Sequence, residues 1–431
     1  MAEKSLFWMV RALFRLGRKE EALNTLALLQ ASYPQGALID QTFYLKARIF
    51  EEQEDLPQAI SVFREVAEKF PQSSLRFPAL WQSGWLLFKS QDFRGAIQVW
   101  DGLLALHPNS LWVEKVLYWK GRALQRLGKS REAGENFRQL RQNYPASYYS
   151  QLAATRGRPF IAGKRNSTAL KDQPLSSFFE SQDQSPGMRN LNLEKGRLLA
   201  RLGLLSAAVG ELEAAEEGSA AEEIRLEISR LYREVGEYHR SAILVRKKMS
   251  LRPLTGSYSE KERAIYLLAY PLGNPSSINQ YARKGNLDPA FLSAVILEES
   301  RFNPQAVSPA GARGLMQVLP STASQIVRRM KVDGYSDTLL FDPEMNLRLG
   351  SWYLSSLLEE FGGKEILALA AYNAGPHVVR EWLAKKPAAP EDEFAENIPY
   401  AETRNYVIRV ISSARVYRML YGASPNPGNP R

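Results

Sequence analysis

A period of 37 residues runs through the first part of this 431-residue chain and limits what it can fold into. Ala22, Ala59, Ala96 and Ala133 stand 37 apart, and so do Pro34, Pro71, Pro108 and Pro145. Leu26, Phe63, Trp100 and Phe137 keep the same register, as do Leu13, Phe50, Leu87 and Leu124, while small residues recur at Ala47, Gly84 and Gly121. Each unit reads as two antiparallel helices. A small residue lies where they cross, a large apolar knob follows the Ala by one turn, and a proline stands beyond the second helix. One such pair cannot bury its apolar faces alone, so neighbours must stack into a superhelix. Trp81, Trp85, Trp100, Trp112, Tyr118 and Trp119 fall mostly at helical spacing and are expected in that core rather than on a ligand platform.

This period resembles the tetratricopeptide pattern, lengthened by about three residues. The expected fold is all-α: a tetratricopeptide-like helical superhelix over residues 1–155, with Tyr148 to Ala154 closing it. The repeats serve either as a scaffold or as a concave surface for a peptide or partner protein. Residues 156–190, rich in Gly, Pro, Ser, Gln and charge, read as a loop or linker. Helical pattern resumes near Leu191, and Arg201-Leu202-Gly203 with Ala208 repeats the spacing of Arg15-Leu16-Gly17 with Ala22. That predicts a second helical segment over 191–269, with Gly236 marking a further helix pair. A compact domain follows over 270–423, and 424–431 reads as a disordered tail.

Composition narrows the function classes. Charged residues make up 24% and apolar residues 45%, an ordinary soluble balance, and no apolar run of transmembrane length occurs. Met1 to Val10 does not read as a secretory leader. The net charge of +10 suits an anionic partner, but the basic residues are scattered and no nucleic-acid motif is present. There is no cysteine, hence no thiolate chemistry, and His107, His239 and His377 lack metal-ligand spacing. No metal or other cofactor is implied.

The chemistry concentrates in residues 288–317. Asp288 and Pro289 open a helix as cap and first residue. Leu292, Val295, Ile296 and Glu299 then share one helical face, so a carboxyl group replaces an aliphatic side chain on an apolar stripe. Burial there raises its pKa toward that of a general acid at neutral pH. A lone glutamate near a helix end is ordinarily solvated or ion-paired, and Glu298, further from the stripe, fits that role better. Asn303-Pro304 is expected to end the helix. Ser308-Pro309, Gly311 and Gly314 make a loop whose backbone can approach a ligand, and Gln317 offers an amide to a sugar hydroxyl.

The segment ESRFNPQAVSPAGARGLMQVLPSTA resembles the core motif of the soluble, lysozyme-like lytic transglycosylases that cleave peptidoglycan. The resemblance continues through Asn346, Gly350 and Tyr353, then Ala371-Tyr372-Asn373-Ala374-Gly375, then Ile398-Pro399-Tyr400-Ala401-Glu402-Thr403-Arg404-Asn405-Tyr406. Four motifs in order make it specific. It implies a lysozyme-like α-helical catalytic domain, peptidoglycan glycan strands as substrate, and a periplasmic or cell-envelope location.

By that resemblance Glu299 acts first as acid and then as base. Ser308, Met316 and Gln317 line the groove, Tyr372 positions the acetamido group or the glutamate, and Asn373 shapes its turn. Glu402 orients the site without being a nucleophile, and Tyr400 and Tyr406 are further candidates. Read from the residues alone, Tyr372 is equally a core tyrosine and Glu402 an ion-pair partner of Arg404. Two alternatives stand beside the lyase: a lysozyme-like hydrolase using the same Glu299 with water, and a non-catalytic wall-binding scaffold.

Overall fold

The computed structural model describes residues 1–106, 108, 110, 112–154, 170, 171, 175, 190–217, 222–248, 259–385 and 389–422; most of the expected linker and the tail lie outside them. The chain divides into two compact units, 1–142 and 143–431. Among the described residues every regular element is helical, apart from two isolated β-bridges around Arg313.

The first unit is four helix pairs: α1 (Ala2–Arg15) with α2 (Lys19–Ser32), α3 (Ile39–Glu52) with α4 (Leu56–Lys69), α5 (Arg76–Lys89) with α6 (Phe93–Leu106), and α7 (Val113–Arg126) with α8 (Ser130–Asn143). The small residues sit at the crossings, as the period requires. A Cβ on Gly84 would strike the indole of Trp100, and one on Gly121 the ring of Phe137. The knobs Leu26, Phe63 and Trp100 are fully buried, and Trp81, Trp85, Tyr118 and Trp119 are buried with them. Turns between paired helices need a left-handed residue. Gly17 and Gly128 supply it, but the equivalent positions in the middle repeats are Glu54 (φ 61°) and Gln91 (φ 65°).

The second unit begins with α9 (Tyr148–Ala154), then α10 (Leu191–Arg201) paired with α11 (Leu205–Glu217), and α12 (Glu222–Glu234) with α13 (Tyr238–Lys248). Gly203 and Gly236 take the left-handed turn positions, and a Cβ on Gly196 would press on Leu212, repeating the crossing of the first unit. Next come α14 (Glu260–Ala269), α15 (Pro275–Lys284), α16 (Pro289–Ser300), α17 (Pro320–Met330), a 3-10 turn (Asp337–Phe341), α18 (Pro343–Glu360), α19 (Glu365–Ala374), α20 (Pro376–Lys385), α21 (Glu391–Glu396) and α22 (Ala401–Tyr421). Side chains of Ser259, Asn274, Asp288 and Asp342 cap α14, α15, α16 and α18. Residues 148–154, grouped with the repeats by sequence, pack here on α22. No helix among the described residues is long and apolar enough to cross a membrane.

α16 is the axis of the downstream helices. Every residue from Pro289 to Leu297 is buried, so the helix has no solvent face. It packs along α22 and against α15. Arg418 of α22 donates to Asp288 at its start (2.6 Å). Its other end carries Glu298 and Glu299.

Candidate active site

α16 stops at Ser300, before Asn303-Pro304, because Arg301 and Phe302 both turn left-handed (φ 53° and 65°). Non-glycine residues pay for that conformation and hold it only where tertiary contacts over-determine it. Here Ser300 Oγ donates to the Leu315 carbonyl (2.7 Å), and buried Phe302 lies over Gly273, where a Cβ would collide with its ring. The early stop ends the helix at the two glutamates, and the Ser300 bond ties the next loop back to the helix end at Leu315.

The glutamates have different surroundings. Glu298 accepts from Arg246 of α13 (2.9 Å), from Arg409 (3.0 Å) and from Ser413 (2.9 Å) of α22. Glu299 has no ion pair among the described residues. Its side chain is half-buried, and burial pushes its carboxyl up to about 7. The Tyr406 hydroxyl opposes that rise, the charges of Glu298 and Glu402 add to it, and Arg409 opposes it. Tyr406 itself is buried; its hydroxyl faces the Glu299 carboxyl without a well-aligned hydrogen bond to any group.

The loop from Asn303 to Leu319 is held from behind by Asn346 of α18, which is fully buried. Its amide donates to the carbonyls of Arg313 (2.9 Å) and Leu340 (2.7 Å), and its oxygen accepts from Met316 N (2.8 Å). A Cβ on Gly314 would strike both the Leu340 carbonyl and this amide, so only glycine fits, and its φ of 75° demands glycine anyway. Ser308 Oγ accepts from Ala312 N (3.0 Å). Gln317 donates from Nε2 to the carbonyls of Ala306 (3.1 Å) and Gly314 (2.9 Å), which fixes the amide orientation and leaves its oxygen unengaged.

Met316 differs from its expected place. Its side chain is fully buried against Gly350 rather than exposed along a groove, and its contribution is the carbonyl that accepts from Tyr372 Oη (2.7 Å). Tyr372 also packs against Tyr353 at 5.4 Å, and burial together with the Glu299 charge pushes its phenol well up. Asn373 is exposed and accepts from Thr403 Oγ1 (2.6 Å), joining α19 to the start of α22. Glu402 is exposed in the first turn of α22 and makes no ion pair among the described residues; Arg404 donates instead to the Ile398 carbonyl (2.9 Å). Tyr400 is exposed, edge-on to Trp382 at 5.2 Å.

Glu299, Tyr372, Tyr406 and Glu402 therefore share one electrostatic site, with Met316 joined to it through Tyr372. No described interaction joins Tyr400 or Ser308 to Glu299. Sequence reasoning passed over Asn346 as a structural residue, ranked Tyr406 low, and missed Val307 and Leu319, large apolar side chains exposed on this loop. An exposed aliphatic residue in a segment tightly held from behind was the available signal.

The family model described as Transglycosylase SLT domain matches residues 276–395, and tetratricopeptide repeat models match 7–74, 78–110 and 115–147. The soluble lytic murein transglycosylase of Escherichia coli (strain K12) is 37% identical over 158 residues, 36% of this chain and 24% of that protein. Two solved structures share the fold at 23% identity. A lytic transglycosylase from Pseudomonas aeruginosa has a TM-score of 0.68 over 95% of this chain, and the 70 kDa soluble lytic transglycosylase from Escherichia coli has 0.66 over 97%. This chain covers 62% of each of those two, so it spans less than two thirds of its relatives' length. In sequence the chain thus matches the tetratricopeptide repeat models in its first part and the transglycosylase SLT domain model over residues 276–395, and in fold it is similar to two solved lytic transglycosylases.

Proposed function

We propose that the chain is a lytic transglycosylase of peptidoglycan, cleaving the β-1,4 bond between N-acetylmuramic acid and N-acetylglucosamine with Glu299 as its one acid–base residue. The observation that carries this reading is a carboxyl without a described ion pair at the end of a buried helix, within the span matched by the SLT domain, beside the buried Tyr406 phenol and the half-buried Tyr372; burial pushes it up to about 7. Protonated Glu299 gives its proton to the bridging oxygen as the bond to C1 breaks. The muramoyl acetamido group, or an oxocarbenium-like state, holds the positive charge. The carboxylate then takes the proton of the C6 hydroxyl, O6 bonds to C1, and a 1,6-anhydromuramoyl end forms without water. Tyr406 and Tyr372 keep the carboxyl in place between the two steps, and the free oxygen of Gln317 and the exposed faces of Leu319 and Tyr400 meet the sugars.

A periplasmic or envelope location and a protein or peptide partner on the repeats belong to the same proposal; the names of the relatives support the location. The test is mass spectrometry of the sugars released from purified peptidoglycan by the chain and by Glu299→Gln. Anhydromuramoyl products, lost with the variant, are expected. Reducing muramoyl ends would instead establish a lysozyme-like hydrolase, and equal release by both proteins would remove Glu299 from the mechanism.

A further inference from the structure

The repeats carry a second feature that the proposed chemistry leaves unused. Their first helices place a ring at one register, Phe7, Tyr44, Trp81 and Tyr118, each 37 residues from the last. One turn later stand Arg11, Arg48, Trp85 and Arg122. In the later repeats indoles fill this line: Trp81 stacks on Trp85 with centroids 6.0 Å apart, and Trp85 meets Trp119 edge-on at 4.6 Å. Between α1 and α3 no indole takes that place. A cavity of about 390 Å³ opens there, with Phe14, Tyr44 and Leu75 among its walls and Arg11, Arg15 and Arg48 at its edge.

No carboxylate lines this cavity. Arg48 is held by Glu51 (2.6 Å), but the other two guanidiniums have no ion pair among the described residues. Arg11 lies over the Trp8 ring at 4.6 Å, which fixes its position without neutralising it. Two guanidiniums without a described ion pair, one of them held over an aromatic ring, stand beside an apolar hollow and are matched by an anion that carries an apolar neighbour. Their planar forks fit a carboxylate with two parallel hydrogen bonds. The Gln41 side-chain amide, also on the cavity wall, presents both a donor and an acceptor, as a peptide backbone requires.

We infer that the cavity between α1 and α3 binds a peptide segment bearing carboxylates next to an apolar side chain. A nucleic acid would need a continuous track of cations beside its stacking rings. The cations lining the hollow are Arg11, Arg15 and Arg48, and Arg48 is already paired with Glu51. The site lies wholly within residues 1–142 and stands whether or not Glu299 is an acid catalyst.

The test is selection of a randomised, displayed heptapeptide library on the full chain, followed by fluorescence anisotropy with the enriched peptides and, separately, with an oligothymidylate. Enrichment of Asp and Glu beside Leu, Ile or Phe is expected. Affinity should fall by about tenfold or more in Arg11→Ala/Arg15→Ala, since each charge-assisted pair contributes on that scale. Arg11→Lys/Arg15→Lys should recover part of it, because lysine keeps the charge but not the fork. Circular dichroism of each variant confirms the fold, these side chains being at the helix surface. No enriched peptide, enrichment without acidic residues, or binding indifferent to both double variants would overturn the inference. So would oligothymidylate binding that exceeds every peptide and depends on the same arginines.

Discussion

Glu298 and Glu299 are consecutive, yet a hundred-degree step around α16 separates an ion-pair anchor from a raised carboxyl. The raised value has a cost that can be measured. Below the unfolded value of about 4.3 the side chain is protonated in both states. As pH rises through about 7, the folded form must either keep its proton or ionise in a dry site, and stability is lost across that window. Glu299→Gln should therefore stabilise the fold at about pH 8 by on the order of 1–3 kcal/mol, with the gain vanishing near pH 4. Denaturant titrations at both pH values check this, and a gain of equal size at each would remove the raised carboxyl as its cause. Tyr406→Phe is expected to act in the opposite sense on chemistry. The phenol favours the carboxylate, so its loss should move the general-acid limb of kcat/KM to higher pH by about half a unit to one unit. An unmoved limb would mean that Tyr406 only fills space. Sequence spacing set the two glutamates apart, but through a weaker reason than the structure supplies. α16 is buried on all sides, so its apolar stripe does not single out Glu299. Its place at the helix end, facing two phenols contributed from α19 and α22, does, and no local pattern encodes those partners.

At the scale of elements, the repeat was the most legible feature of the chain, because each crossing and each turn needs one residue type at one offset. The two exceptions are informative. Glu54 and Gln91 occupy left-handed turn positions that Gly17 and Gly128 fill elsewhere. A left-handed conformation costs an ordinary residue about 1–2 kcal/mol, part of which glycine gives back as chain entropy in the unfolded state. Glu54→Gly should then raise stability by up to about 1 kcal/mol, while Gly128→Ala should lower it by about 1 kcal/mol or more, read from thermal unfolding of the full chain. A fall in both would show that Glu54 does more than turn the chain. Gly84→Ala is a different kind of change, since its methyl must enter the space of the buried Trp100 indole; overpacking of this sort costs roughly 1–3 kcal/mol. The loop from Asn303 to Leu319 was far less legible. Its shape depends on Asn346, which lies 30 residues beyond Met316 yet closes three hydrogen bonds on the loop and its support. Glycine and proline spacing announced a loop there; only the tertiary contact fixes which of its atoms face out.

At the scale of the molecule, the boundary between the two units falls before α9 rather than after it, and this carries a consequence for dissecting the chain. α9 donates from Tyr148 N to Ser412 Oγ (3.1 Å) and from Gln151 Nε2 to the Ile411 carbonyl (2.8 Å), while Tyr149 Oη donates to Glu396 (2.7 Å). Tyr148, Tyr149 and Leu152 are buried. These contacts fall on α22 and α21, and α22 is the helix that brings Tyr406 and Glu402 to Glu299 and Arg409 to Glu298. Two fragments that differ by thirteen residues should therefore behave differently: 143–431 keeps the support of α22, and 156–431 loses it. Returning one large apolar side chain to water costs about 2 kcal/mol, and the three hydrogen bonds add about 1 kcal/mol each. The shorter fragment should thus melt lower by on the order of 10 °C or more. It should also lose activity on small glycan fragments at temperatures where the longer one, released from the repeats, still works. Equal melting points and equal rates would show that α9 rides on α22 without supporting it. A fragment 143–431 that folds but is inactive would place part of the catalytic requirement within residues 1–142.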